Sequence, residues 1–504
     1  MTRVKLSLFT ILALISFDIY AEEVDLSGFD DEPVATQETK SADDALMDGF
    51  DDEPVPAAPE KTIPEDALMD GFADATATTP GSDEEHIETE DVMQDGFDEA
   101  DPESTEVEEQ ETRFLPGLTG ELTEQVAYSL HNDKPHNSFT SVKSSLFLDY
   151  EHKFENGFKF KANAKAYYDA IYSFKGRDRF SKDELNELES EVELFDAYIE
   201  GSITDNFDMK LGRQVVVWGR SDTLRVTDIL NPLDNRRPGM VDIEDLRLPV
   251  TMAKFDYFIG DWRITPIAIL EQRFSKRPPF GSAFYPLPVP SPNDEDYSDV
   301  TYALSVGGEF SGWDINFYAA RIRNDEGKVV FSPVPSREHE KVNMFGTAIN
   351  VLTGSWLFKT ELAYFDGLEY TTTGNKNFSR TDVLLGVEYK GIADTLISFD
   401  TVNRHFGNYD DKLLSELNPL NKHSYQHAFR VSSDFMHATL TANYLISLYG
   451  KKFDEGGFQR AWIKYELGEG INTNIGIVDY IGGSIAFDAY EDNDMIFADI
   501  SYNF

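Results

Sequence analysis

Met495-Ile496-Phe497-Ala498-Asp499-Ile500-Ser501-Tyr502-Asn503-Phe504 closes the chain, and Ile496, Ala498, Ile500, Tyr502 and Phe504 recur at every second position. Alternate side chains of an extended strand point to opposite sides, so these five form one apolar face that ends on an aromatic residue. The same alternation runs upstream in stretches of about ten residues joined by tight turns. Ser138 to Tyr150 and Phe158 to Tyr172 flank Glu155-Asn156-Gly157, a hairpin signal. Phe195 to Ile203 and Phe207 to Val217 flank Thr204-Asp205-Asn206. Thr251 to Ile259 and Trp262 to Leu270 flank Gly260-Asp261, and Tyr302 to Phe310 and Trp313 to Ile322 flank Ser311-Gly312. Later pairs centre on Thr353-Gly354, Gly391, Phe435-Met436 and Gly468-Glu469-Gly470.

Between these pairs lie longer polar connections, at 173–190, 218–249, 271–298, 324–342 and 404–422. Short turns on one side and long loops on the other are the asymmetry of outer-membrane barrels, whose short turns face the periplasm. The sequence therefore predicts an all-β, transmembrane antiparallel barrel of about 14–16 strands over 113–504, with 16 preferred. A soluble sandwich or propeller would account for the alternation but not for the loop asymmetry. The closing run resembles the C-terminal signal by which the bacterial barrel-assembly machinery selects its clients. That resemblance implies Ile500, Tyr502 and Phe504 as its key residues.

The start of the chain fixes the compartment. Met1-Thr2-Arg3-Val4-Lys5 is basic, Leu6 to Phe17 is almost entirely apolar, and Ile19-Tyr20-Ala21 precedes Glu22-Glu23. This reads as a secretory signal peptide over 1–21 with cleavage after Ala21. Its apolar run is too short for a membrane helix, and no longer run follows. A chain of this kind spans a bilayer only as a closed barrel. Outer-membrane lipid and the assembly machinery are thus expected partners.

Residues 22–112 differ from the rest. They hold 33 acidic residues against Lys40 and Lys61, which is most of the chain's net charge of −48. So few apolar residues cannot offset the ordering entropy, and a disordered periplasmic segment is expected. Within it a short unit recurs, with glycines at 28, 49, 71 and 96. Its apolar residues are Phe29; Leu46, Met47 and Phe50; Leu68, Met69 and Phe72; and Met93 and Phe97. Aromatic and aliphatic side chains at set places in an acidic background suit docking into a hydrophobic pocket with a basic rim. Tethered copies would add avidity. The competing reading is a repeat-expanded solvated spacer.

The acidity excludes a nucleic-acid partner, whose phosphates demand a basic surface. The absence of cysteine excludes disulfides and thiolate sites. No Gly-x-Ser-x-Gly elbow, phosphate loop or His-Glu-x-x-His motif occurs, so no enzyme, cofactor or metal site is expected. His423 and His427 share a strand face but would stand about 13 Å apart, too far for one metal.

Charge concentrates instead at 211–263. Arg213, Gln214, Trp218, Arg220 and Asp222 are followed by Asp228, Asn231, Arg236, Arg237, Asp245 and Arg247. Charged groups cannot face lipid at depth without cost, so these residues should line or fold over the lumen. They read either as a plug or constriction that selects what passes, or as an ion-paired belt that holds the barrel open.

The Leu211-Gly212-Arg213-Gln214-Val215-Val216-Val217-Trp218-Gly219-Arg220 run, the Asp228-Ile229-Leu230-Asn231-Pro232-Leu233-Asp234 turn and the Asp245-Leu246-Arg247-Leu248-Pro249-Val250 segment resemble a proteobacterial family known only as a domain of unknown function, DUF1302. The resemblance covers about 113–504 and leaves out the acidic segment. Arg220 departs from it, since relatives more often carry a smaller or acidic residue there. The family is taken to consist of outer-membrane barrels, often encoded beside inner-membrane exporters of the resistance-nodulation-division type and a periplasmic lipoprotein-carrier-like protein. The resemblance implies a trans-envelope system for a hydrophobic or lipid-like molecule. The alternatives are a general diffusion porin, and a structural or adhesive surface barrel.

Overall fold

The computed structural model describes residues 116–331 and 333–504. The expected signal peptide, the acidic segment over 22–112 and its repeat units from Phe29 to Phe97 lie outside the described residues.

Among the described residues, twenty strands follow in order. They are β1 (Leu118–Ser129), β2 (Ser138–Lys153), β3 (Lys159–Asp169), β4 (Ser190–Thr204), β5 (Phe207–Gln214), β6 (Val250–Ile259) and β7 (Trp262–Ile269). Next come β8 (Thr301–Phe310), β9 (Trp313–Arg323), β10 (Lys328–Val330), β11 (Ser336–Glu338), β12 (Lys341–Thr353) and β13 (Trp356–Tyr370). The last are β14 (Gly374–Ile392), β15 (Thr395–Phe406), β16 (His423–Phe435), β17 (Leu440–Tyr449), β18 (Gly457–Gly468), β19 (Ile471–Ile481) and β20 (Met495–Asn503). β10 and β11 form a small hairpin inside one long connection. The other 18 make one antiparallel sheet in which each strand pairs with its sequence neighbours, and β1 pairs with β20 to close the ring.

The strand count exceeds the expected 14–16, and the reason is local. Sixteen of the 18 strands meet in pairs across the eight tight turns. The remaining two, β1 and β20, are the closing pair and share no turn. β1 lacks a clean apolar face, because Glu124 interrupts the outward row of Leu122, Val126 and Tyr128. The seam runs in register from Glu121 opposite Asn503 to Ser129 opposite Met495. It ends where Gly120 and Phe504 exchange both backbone hydrogen bonds at 2.9 Å.

Alternation sorts side chains as expected of a membrane barrel. On β13, Trp356, Phe358, Leu362 and Tyr364 face outward and are exposed, while Lys359, Glu361, Ala363 and Phe365 face inward and are buried. The predicted apolar face of β20 points outward: Ile500, Tyr502 and Phe504 are all about half exposed. Trp262, Trp313 and Trp356 sit beside the short turns at the same end, a partial aromatic girdle. Among the described residues no helix is long and apolar enough to cross a membrane. An even-numbered closed sheet with an apolar exterior and ionised groups inside is an outer-membrane-type barrel.

Candidate functional site: a loop across the lumen

The connection between β5 and β6, residues 215–249, carries the charged cluster, and it folds inward. Its departure begins at Gly212. That residue has φ of +131°, and an added Cβ would stand 2.2 Å from the Ala197 carbonyl oxygen. The strand consequently ends at Gln214 and does not reach Val217, because the chain has already turned off the wall.

Three inward-facing acids of the wall seize the first part of the loop. Glu361 on β13, almost fully buried, accepts hydrogen bonds from the backbone N–H groups of Arg220 (2.6 Å), Ser221 (3.1 Å) and Thr227 (3.0 Å). The Thr227 hydroxyl donates to it as well, at 2.7 Å. Gly219 makes this approach possible: at φ +93°, a Cβ there would lie 3.0 Å from both Glu361 carboxylate oxygens. Asp400 on β15 accepts from the hydroxyls of Ser221 (2.7 Å) and Thr223 (2.6 Å). Asp314 on β9 takes the Arg220 guanidinium, and Lys359, which also pairs with Glu388, meets Asp222 at 3.3 Å. The Trp218 ring stacks on Tyr318, centroids 4.6 Å apart.

The middle of the loop is cross-braced to itself. Asp228 accepts from the Trp218 N–H (3.2 Å) and from Arg247 (2.9 Å), and pairs with Arg225 at 3.2 Å. Asn231 accepts from Val216 N–H at 2.8 Å and donates to the carbonyls of Leu248 (2.8 Å) and Gln214 (3.3 Å). The far part reaches the opposite wall. Arg236 meets Glu191 at 2.7 Å and Asp234, and Arg237 meets Asp169 at 3.3 Å. Burial disfavours the Arg236 charge, but the hydrogen bonds and charge of Asp234 outweigh it and hold the guanidinium above its ordinary range. Asp242 pairs with Arg460 on β18 and lies 3.6 Å from Arg430 on β16. β4, which carries Glu191, and β15, which carries Asp400, are nine strands apart in the ring of 18, so the loop crosses the lumen.

Most of the sequence-predicted residues therefore meet in one loop-to-wall network. Three play other parts. Arg213 stays at the wall, paired with Glu271 (2.8 Å) and Glu193 (3.2 Å). Gln214 is fully buried and donates to the carbonyls of Lys210, Gly212 and Met252, each at 3.2 Å, which makes it a brace for the turn. Asp245 is exposed and makes no ion pair among the described residues. The wall acids Glu361, Asp400 and Asp314 were missed. Each is a carboxylate at an inward position of a mostly apolar strand, and that parity is the signal available.

Above the loop, at the long-connection mouth, lies a cavity of about 800 Å³. Val226, Leu230, Phe365, Leu368, Phe406 and Tyr490 supply apolar surface, and Arg225, Arg273, Arg323, Arg380 and Arg404 supply guanidinium groups. These are braced by acids: Asp382 takes Arg380 through two 2.9 Å hydrogen bonds, and Asp299 takes Arg323 at 2.6 Å. The connection between β19 and β20 forms one side of the mouth. There Burial pushes the Asp494 carboxyl up to about 6; nearby Asp479 adds to this, and the Tyr480 N–H opposes it. A carboxyl raised in the folded loop binds its proton more tightly there than in an unfolded chain. Its contribution is therefore full below about pH 4 and lost as pH rises through about 6. Amide exchange in 482–494, corrected for intrinsic rate, should be severalfold faster at pH 7 than at pH 5. Asp494→Asn should remove that difference; an unchanged pH dependence would refute the assignment.

A family model described as "Protein of unknown function (DUF1302)" matches residues 130–504. The chain belongs to this family. No curated protein matches it. Solved structures similar to this DUF1302 chain include Pseudomonas aeruginosa OccK9 (OpdG), with 10% identity and a TM-score of 0.46 over 77% of this chain and 97% of that one. P. aeruginosa OpdK with vanillate gives 9% identity and a TM-score of 0.45 over 77% and 98%. Salmonella typhi OmpF in complex with daunomycin gives 8% and 0.41 over 77% and 97%. The architecture of this DUF1302 member rests on its own strand pairing.

Proposed function

We propose that the protein is a transport barrel of the outer membrane for a hydrophobic or lipid-like, amphipathic molecule, serving as the outer-membrane component of a trans-envelope export or transfer system. The observation that carries this reading is the mouth cavity. Apolar side chains and braced guanidinium groups share one space of about 800 Å³, directly over a loop tied to opposite walls. That volume lies within the range of about 300–1,000 Å³ usual for sites that enclose a small molecule. A pore for ions and small polar solutes would need no such apolar lining. The 215–249 loop then acts as the gate, and its ion pairs hold the closed position.

In this reading the acidic repeats recruit a periplasmic carrier or an exporter of the resistance-nodulation-division type. A chain of 91 residues has a root-mean-square reach of about 50–60 Å, enough to meet such a partner across much of the periplasm. Peptides carrying one Gly-Phe-Asp unit should retain a periplasmic protein, and a Phe50→Ala, Phe72→Ala, Phe97→Ala chain should lose transport without losing the barrel. Planar-bilayer conductance with and without 22–112 supplies the second check. Large, steady, cation-selective openings in both forms would make the protein a diffusion porin and end the gated-transport reading.

A further inference from the structure

The outer surface at the tops of β15 to β17 carries a basic patch that the lumen does not use. On β15 and β16 even-numbered residues face the lumen, as Asp400 and Arg430 do, so His405, His423 and His427 face outward. The His405 and His423 rings lie 4.4 Å apart, opposite each other in the strand register. Lys422 directly precedes β16, its carbonyl accepting from the Phe406 N–H at 3.0 Å. Lys451 and Lys452 follow Gly450, whose N–H donates to the Tyr425 carbonyl at 3.0 Å, so the same rim gathers all three lysines. All three are exposed, and none has a carboxylate within ion-pair distance among the described residues.

Glu455 lines the luminal cavity, and the Asp454 carboxylate lies beside Gly450 without forming an ion pair with these lysines among the described residues. Phe453 takes a left-handed backbone, φ +62°, and lays its ring 4.4 Å from His427 on the outer wall. Below the patch, Phe399 and Phe429 face each other across the strands and are exposed on the apolar exterior. The ring nitrogens His405 Nδ1 and His427 Nε2 are buried without a hydrogen-bond partner, so His405 can present only its Nε2 to a ligand.

We infer that this rim is a binding site for a phosphate-bearing lipid headgroup of the outer leaflet, with Lys422, Lys451, Lys452, His405 and His423 meeting the phosphate and Phe399 and Phe429 carrying acyl chain. The chemistry is the attraction of clustered lysines to an anionic membrane surface, which adds up per residue. It places the patch at the long-connection end of the barrel, the end that faces the outer leaflet.

Native mass spectrometry of the full-length protein, titrated with bis-phosphorylated glycolipid (lipid A), tests this. Lys422→Gln with Lys451→Gln and Lys452→Gln should reduce retained lipid about tenfold or more. His405→Gln with His423→Gln should reduce it to a lesser extent. Lys390→Gln, at the opposite rim, should leave it unchanged, and dephosphorylated lipid A should bind the wild type as weakly as lipid A binds the triple variant. Equal retention by the triple variant, or equal binding of the dephosphorylated lipid, overturns the site. Displacement of the lipid by inorganic phosphate alone would assign the patch to the free ion and overturn the lipid assignment. Heat-modifiable gel mobility confirms that each variant remains a folded barrel.

Discussion

Glu361→Ala channels are expected to pass markedly more current than wild-type channels. This one carboxylate accepts four hydrogen bonds from the 215–249 loop, three of them from backbone N–H groups that no other side chain serves. Hydrogen bonds to a charged group are worth about 1.5–3 kcal/mol each, and within one network they do not add, so the set is worth ~4 kcal/mol. At about 1.4 kcal/mol per tenfold, its loss shifts the ratio of docked to released loop by a factor of about 10³. Long-lived open events should therefore dominate single-channel records of Glu361→Ala. Asp400→Ala, which removes two hydroxyl contacts, should show briefer openings. Glu361→Gln keeps the volume but turns an amide toward the loop's own N–H donors, so it should also open. Records identical to wild type for Glu361→Ala would rule out the proposed role of the loop as gate.

The second large effect is expected at the seam. Phe504→Ala should cut the amount of folded barrel in the outer membrane about tenfold or more, the factor that ~1.4 kcal/mol sets. The Phe504 ring lies over Gly120, where an added Cβ would stand 2.5 Å from it. Two explanations predict the same loss: recognition of the terminal Ile500, Tyr502 and Phe504 by the assembly machinery, or packing of the last turn of the seam. Gly120→Ile separates them, since it displaces the ring and leaves the terminal sequence intact. If the Gly120 variant assembles normally while Phe504→Ala fails, the terminal sequence is being read by the machinery. If both fail, the seam itself needs the contact. Normal assembly of Phe504→Ala would sink both accounts.

Much of this barrel was legible because its strands obey two local rules at once. Alternation marked the faces, and residues such as Asn156-Gly157 and Ser311-Gly312 marked the turns. β1 escaped because neither rule applies to it: Glu124 breaks its outward face, and no tight turn joins it to a partner. The cost of charge in lipid correctly sent Arg220, Arg236 and Arg237 inward. It could not supply their partners, because Asp314, Glu191 and Asp169 are brought to them by ring closure at separations of up to 94 residues. Gln214 is a related case. A polar side chain in a charged run suggests a lumen group, yet this one donates to the backbone carbonyls of Lys210, Gly212 and Met252.

The seam has a mechanical consequence. β1 starts and β20 ends at the short-turn side, so any pull on the chain preceding Leu118 enters the barrel along β1. Hydrogen bonds in an antiparallel pair lie across the strands, so a load along β1 strains its two ladders in parallel and does not peel them bond by bond. Those ladders pair nine residues with β20 and twelve with β2. Force applied to the chain ahead of Leu118 would thus load the barrel in its strongest direction and reach the lumen without opening the wall.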